Sequence, residues 1–390
     1  MSLSHHHPSA SRRLAVGAAS IALMATALVG CTDDPDPVAT GPDGAAEVDA
    51  GICEPDEMPE ALDAEAVAEA DVDGTTISLV THGSFEVSDG IFEAFTDETG
   101  IEVELVESDD AGTLVSQSVL TAGDPVADVM YGIDTTFLCR GTGAGLFVPY
   151  ASPGLDEVPE EYRLDPNDLA TPIDVGDVCL NYSRTALDDD QAPDSLDDLT
   201  DEAFADAFVT QNPETSSPGF ALLLATIATY GEDGWEDYWT DLRANGVEVT
   251  SSWDDAYYGS FDAGAGERSV VNSYATSPVA DVVFADPPRD EPAIGVVADA
   301  CFRQVEFAGV LRGTEHPEAA AQLIDFLLSP TFQEDIPLNM FVEPVSDAAE
   351  VPEEFEDHRT EIDEPLTLAP AEIEAGRDRW TDRWTEIVLR

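Results

Sequence analysis

The chain contains no lysine. Its 15 basic residues are all arginine and face 82 acidic ones, a net charge of −67 over 390 residues. Neutralising the phosphates of a nucleic acid requires basic patches, so nucleic acid is excluded as a partner. Signatures of catalysis are also missing: there is no G-x-S-x-G, no H-E-x-x-H, no P-loop and no G-x-G-x-x-G. These absences count against an enzyme, including a surface-anchored hydrolase, an alternative that turnover of generic esters would revive. Histidine is scarce, with His82, His316 and His358 the only ones beyond His7, and the five cysteines include no C-x-x-C pair. Neither a metal site nor a cofactor is expected. Asp71-Val72-Asp73-Gly74 begins like a calcium loop, but the remaining ligand positions do not follow.

Long apolar runs are absent after the first thirty residues. Within them, Arg12 and Arg13 precede an apolar stretch from Leu14 to Val29, and the stretch ends Leu28-Val29-Gly30-Cys31. It is too short and too rich in small residues for a membrane span, and its layout is that of a bacterial lipoprotein signal. Residues 1–30 therefore read as an export signal, with Cys31 as the lipidated first residue. Ser11-Arg12-Arg13 also resembles a twin-arginine start. The expected location is extracytoplasmic, attached to the cell membrane through the lipid on Cys31. Residues 31–70 read as an acidic tether, rich in Asp, Pro, Gly and Ala from Thr32 to Gly51, with a short helix between Glu60 and Ala70. With Cys31 lipidated, Cys53, Cys139, Cys179 and Cys301 remain, enough for two disulfides in any of three pairings.

The rest is long enough for two ordinary domains. Thr76–Thr81 is strand-like, Gly90–Gly100 has helical spacing with a glycine stop, and Ile101–Val106 alternates as a strand. A helix over 113–122, a buried strand over 127–131 and a helix start over 136–141 follow. This β-α-β-α-β order argues for an α/β sheet of largely parallel strands, with ligands at the loops beyond the strands' carboxyl ends. His82, Asp110 and Asp134 fall in such loops. A second α/β pattern begins near Ile173. It has strands over 178–182, 208–210, 270–274 and 303–311, and helices over 196–204, 220–230 and 317–328.

Two segments carry the strongest binding chemistry. Ser251-Ser252-Trp253-Asp254-Asp255-Ala256-Tyr257-Tyr258 and Asn272-Ser273-Tyr274-Ala275-Thr276-Ser277-Pro278 set aromatic rings among hydroxyls and carboxylates. A flat organic cation suits such surroundings, since a desolvated cation–π contact contributes ~0.5–2 kcal/mol. The same residues also suit a packed core ring beside a solvated acid pair. Ser216-Ser217-Pro218-Gly219 stands before a helix and reads either as an ordinary N-cap or as a site for a polar ligand atom. Tyr257-Tyr258 is similar to the adjacent tyrosines of ferric-ion receptors, and is equally read as packing.

Taken in order, Thr81-His82-Gly83-Ser84-Phe85, Gly132-Ile133-Asp134, the run from Thr215 to Leu224, Ser252-Trp253-Asp254-Asp255-Ala256-Tyr257 and Ser273-Tyr274-Ala275-Thr276-Ser277-Pro278 resemble the periplasmic thiamine-binding proteins of ABC importers. The match continues through Gln304-Val305-Glu306, the run from Phe326 to Gln333, Ile336-Pro337 and the Trp-containing helix over 370–390, and covers about residues 75–390. The resemblance implies an α/β, two-lobed periplasmic-binding-protein fold with discontinuous lobes and a ligand cleft between them. Lobe 1 would span 75–174, completed by about 300–345, and lobe 2 would span 175–299. A C-terminal helical segment, 346–390, would pack on the lobes. It implies a monomer without catalytic activity that delivers thiamine, a thiamine phosphate or a related small cation to an ABC permease and its ATPase. The same fold binding ferric ion or a polyamine is the alternative.

The family's stacking aromatics map to Trp253 and Tyr274, its acidic residue to Asp110, and its helix-start contacts to Ser216, Ser217 and Gly219. His82, Asp134 and Phe341 complete the expected set. The chain departs from the family at His82 and Ala280, where the family has Tyr, and at Phe341, where it has Trp. By placing Cys179 and Cys301 near the lobe crossings, the resemblance implies that these two pair, and Cys53 with Cys139.

Overall fold

The structure, a computed structural model, describes residues 50–263 and 266–390. The export signal expected over 1–30, the lipidation expected at Cys31 and the part of the expected tether before residue 50 lie outside the described residues. The tether expected over 31–70 does not extend through 50–70, because from Ala50 the chain is bound to the body. Cys53 forms a disulfide with Cys139, Leu62 bridges Tyr150, and Val67 of helix α1 (Ala64–Glu69) is 1% exposed.

The first half runs β1 (Thr76–Thr81), α2 (Ile91–Thr99), β2 (Glu102–Glu107), α3 (Ala111–Leu120), β3 (Val129–Asp134) and α4 (Leu138–Gly143). Gly100, in the left-handed conformation that glycine adopts without strain, ends α2. The long strand β4 (Thr171–Ser183) leads to β5 (Phe208–Gln211), α5 (Ser217–Tyr230), α6 (Trp235–Ala244), β6 (Glu248–Thr250), β7 (Val270–Tyr274) and α7 (Ser277–Val283). The second long strand, β8 (Ile294–Val310), returns. Then come α8 (Pro317–Leu327), α9 (Pro330–Gln333), α10 (Ile336–Asn339), β9 (Glu343–Pro344), α11 (Glu353–His358) and α12 (Pro370–Val388).

The strands order as β2-β1-β3-β8-β4-β7-β5-β6, with β9 beside β4. Strands β2-β1-β3 and β7-β5-β6 are parallel, one set in each lobe. The joining pairs β3–β8, β8–β4 and β4–β7 are antiparallel. This departs from the largely parallel sheet expected, for a topological reason: β4 carries the chain out of one lobe and β8 carries it back. β8 also starts well before the expected 303. Its pairing with β4 jumps from Val178–Phe302 to Leu180–Val297, and Cys179–Cys301 bridges the two strands at that jump.

The helix expected over 196–204 is instead two 3-10 turns, Asp197–Thr200 and Glu202–Phe204. Asp198 folds back to accept the N–H groups of Asp194 and Ser195, and the Asn245 amide donates to the carbonyls of Leu199 and Asp201. The Leu199 carbonyl is then spent on a tertiary partner, and that of Asp201 is shared between this partner and the Phe204 N–H of the next 3-10 turn.

Apolar on nearly every side, α5 is buried from Ser217 to Ile227, which is the pattern of a core helix rather than a surface one. Helix α12 closes the far side, with Trp384 buried edge-on against Trp239. Its Arg377 sits between the rings of Phe137 and Phe220, 4.1 and 4.2 Å from their centres, and donates to the Thr136 carbonyl. That fixes β3's end to the start of α5.

Candidate functional site

A cleft of about 430 Å3 lies over the central strands. Of the residues expected to hold ligand, His82, Asp110, Asp134, Ser217, Trp253, Tyr274 and Phe341 all line it. Ser216 and Gly219 do not. Ser216 is fully buried, and a Cβ on Gly219 would meet the Gln211 carbonyl at 2.6 Å, so this glycine serves close helix-to-strand packing.

Trp253 follows β6 and opens a π-helical turn over Asp255–Ser260, a local widening that is frequent at functional sites. Tyr257 stacks on one face of Trp253 at 4.7 Å and 19°, and Tyr258 meets it edge-on. The indole Nε1–H donates to Ser273 Oγ at 3.0 Å. Tyr274 ends β7 and lies against Gly176, where a Cβ would come within 3.0 Å of its ring. Phe341, held at φ +54°, meets Phe284 edge-on, and its carbonyl accepts from Thr276. Ala280 also lines the cleft.

Further hydrogen bonds cross the cleft beside that of Thr276 to the Phe341 carbonyl. Asp110, the N-cap of α3, accepts from the Trp253 backbone N–H at 3.0 Å, and Ser84 Oγ donates to Asp254. Burial pushes the Asp110 carboxyl up, against the Trp253 N–H and the nearby Ser216 hydroxyl, which favour its charged form. The Ser216 oxygen nonetheless lies outside hydrogen-bond geometry.

The floor sets Asp134, which the sequence suggested, in a row that local patterns do not reveal. Asp134 on β3, Glu306 on β8 and Asp174 on β4 stand directly opposite one another across three neighbouring strands. Two bulges create this row. Gly132 is the extra residue in β3, and Ile173 the extra residue in β4. Gly132 has φ +107°, and a Cβ there would strike the His82 ring at 2.5 Å.

Tyr131 OH donates to Asp174, Thr136 donates twice to Asp134, and Gln304 Nε2 donates to the other Asp134 oxygen. His82 Nε2 lies 3.3 Å from Glu306, and its Nδ1 accepts the Ser84 N–H. Burial pushes Asp134 up to about 7 and, with Glu306 beside it, Asp174 well up. On His82 burial acts downward but is outweighed by Glu306, Asp110 and Asp134, so its pKa rises. Among the described residues no three His, Cys, Asp or Glu side chains converge tightly enough to hold a metal ion. Tyr257 is buried in the stack on Trp253, whereas Tyr258 meets it edge-on and stays exposed.

A flat cationic solute matches these walls: aromatic faces on one side, acceptors at the floor. Among the described residues no arginine lines the cleft. Two lobes joined by crossing strands over such a cleft define a solute-binding protein of the periplasmic type. A sequence model of the family described as bacterial extracellular solute-binding protein matches residues 124–362. The thiamine-binding periplasmic protein of Escherichia coli (strain K12) is 30% identical over 319 residues, 80% of this chain and 94% of that one. Its counterpart from Salmonella typhimurium is 30% identical over 325 residues, 80% of this chain and 94% of that one. A solved periplasmic thiamin binding protein superposes with a TM-score of 0.72 at 29% identity, covering 81% of this chain and 96% of that chain. The chain belongs to the bacterial extracellular solute-binding protein family, whose work is solute capture rather than catalysis.

Proposed function

We propose that this protein captures thiamine outside the cytoplasm and delivers it to an ABC permease and its ATPase. The observation that carries the reading is a cleft with Trp253 and Tyr274 on its walls, carboxylates at Asp110 and along the floor, and, among the described residues, no arginine in its lining. Trp253 and Tyr274 stack on the rings, Asp110 pairs with the thiazolium, and Ser217, His82, Asp134 and Phe341 complete the enclosure. The lobe limits are those implied by the resemblance, 75–174 with about 300–345 against 175–299. The lipid anchor at Cys31 belongs to the same reading, and two disulfides occupying the other four cysteines support it.

A thermal-shift panel with thiamine, its phosphates, ferric ion and spermidine tests the function. A shift with thiamine that is lost in Trp253→Ala is expected. No shift at millimolar thiamine overturns the reading, and a shift with ferric ion or spermidine alone replaces it. Release of Cys31→Ser from the membrane fraction is the expected result for the anchor.

A further inference from the structure

The carboxylate row is costly. Like charges directly opposite on neighbouring strands destabilise a sheet, and here three lie side by side in the interior, placed there by two bulges. Asp134 and Asp174 are each 2% exposed, and both already accept from protein donors. Glu306 is the middle member and is less deeply covered, at 16%. Gln304 stands two residues before it on β8, so both side chains share one face of the strand. It lines the cleft and is 4% exposed. Its Nε2 donates to Asp134, yet among the described residues its Oε1 has no hydrogen-bond partner. A buried acceptor without a donor is a free-energy cost that a ligand group relieves.

The floor therefore offers acceptors in excess: the Gln304 Oε1 and the remaining capacity of Glu306. It adjoins the stacking wall, because Tyr274 packs on Gly176, two residues beyond Asp174. A ring lying against Tyr274 presents its edge to the floor. We propose that Glu306 and Gln304, backed by Asp134 and Asp174, form a subsite for the amino-bearing edge of a heteroaromatic ring. This rests on the thiamine reading, in which that edge is the aminopyrimidine's.

Oxythiamine tests it, because an oxo group replaces the ring amino group and turns a donor into an acceptor. Titration calorimetry of the whole protein should show oxythiamine binding about ten- to a hundred-fold more weakly than thiamine, the loss of a hydrogen bond to a charged group. The ratio should fall towards one in Glu306→Gln, whose amide also donates, and move the same way in Asp174→Asn. Equal binding of the two compounds by the unaltered protein, which needs no variant to fold, overturns the subsite and leaves the proposed function standing. A wild-type preference that persists unchanged in both variants also overturns it. Absence of binding by either compound overturns the function and the subsite together.

Discussion

The buried acids give the ligand-free protein an unusual dependence of stability on pH. Asp134 is 2% exposed, and burial pushes its carboxyl up to about 7, against an ordinary value of 3.8. The native state thus binds this proton more tightly than the unfolded chain. Stability from this source is complete below about pH 4 and is lost as pH rises through about 7. The gap corresponds to about 4 kcal/mol at most. Asp110, Asp174 and His82 are all raised as well, so their contributions have the same sign. In 1 M salt, where the Debye length is about 3 Å, general repulsion among the surface acids is largely screened. Calorimetry there should show the melting temperature falling from pH 5 to pH 8 by several degrees, given roughly 2–4 °C per kcal/mol in a body of this size or somewhat smaller. Asp134→Asn should melt higher than the wild type at pH 8 and show a flatter profile. A melting temperature that stays level or rises over this range, or a variant that keeps the wild-type slope, refutes the reasoning.

Two further outcomes follow from the fold and the site. The Cys179–Cys301 bridge closes a sequence separation of 122 at the crossing strands, so replacing both with serine should cost about 2–5 kcal/mol. An unchanged urea midpoint would count against a structural role for it. At Gly132, alanine would bring a Cβ to 2.5 Å from the His82 ring at a φ of +107°, a strain of about 1–3 kcal/mol. Calorimetric titration of Gly132→Ala should show weakened capture of thiamine. Wild-type affinity would show that His82 and the bulge do not shape the cleft.

Much of the fold was readable because its signals are local. β1, α2 and β2 sit where alternation, helical spacing and the Gly100 stop place them. The same holds for α5, while α12 was expected only through the family resemblance. The helix over 196–204 failed because Asn245, distant in sequence, takes the carbonyls of Leu199 and Asp201. The site was legible through the order of its motifs rather than through local chemistry. Trp253 and Tyr274 by themselves fit a packed core equally well. The carboxylate row was missed, although Glu306 lay within a quoted motif. Asp134, expected in the site, and the glycine at 132 were its visible traces.

The sequence alone determined the acidic character, the alternation of strands and helices, and which residue types were present to meet a flat cation. Each of these depends on composition or on neighbours within a few positions. Tertiary structure decided that Asp134, Asp174 and Glu306 stand in one line, that Ser216 and Gly219 lie beneath the cleft rather than in it, and that the chain is tied to the body from Ala50. Register between distant strands sets the first of these, and a single extra residue in β3 and another in β4 shift every later side chain to a new partner. No local pattern carries that information, because the pairing energy exists only once the strands meet.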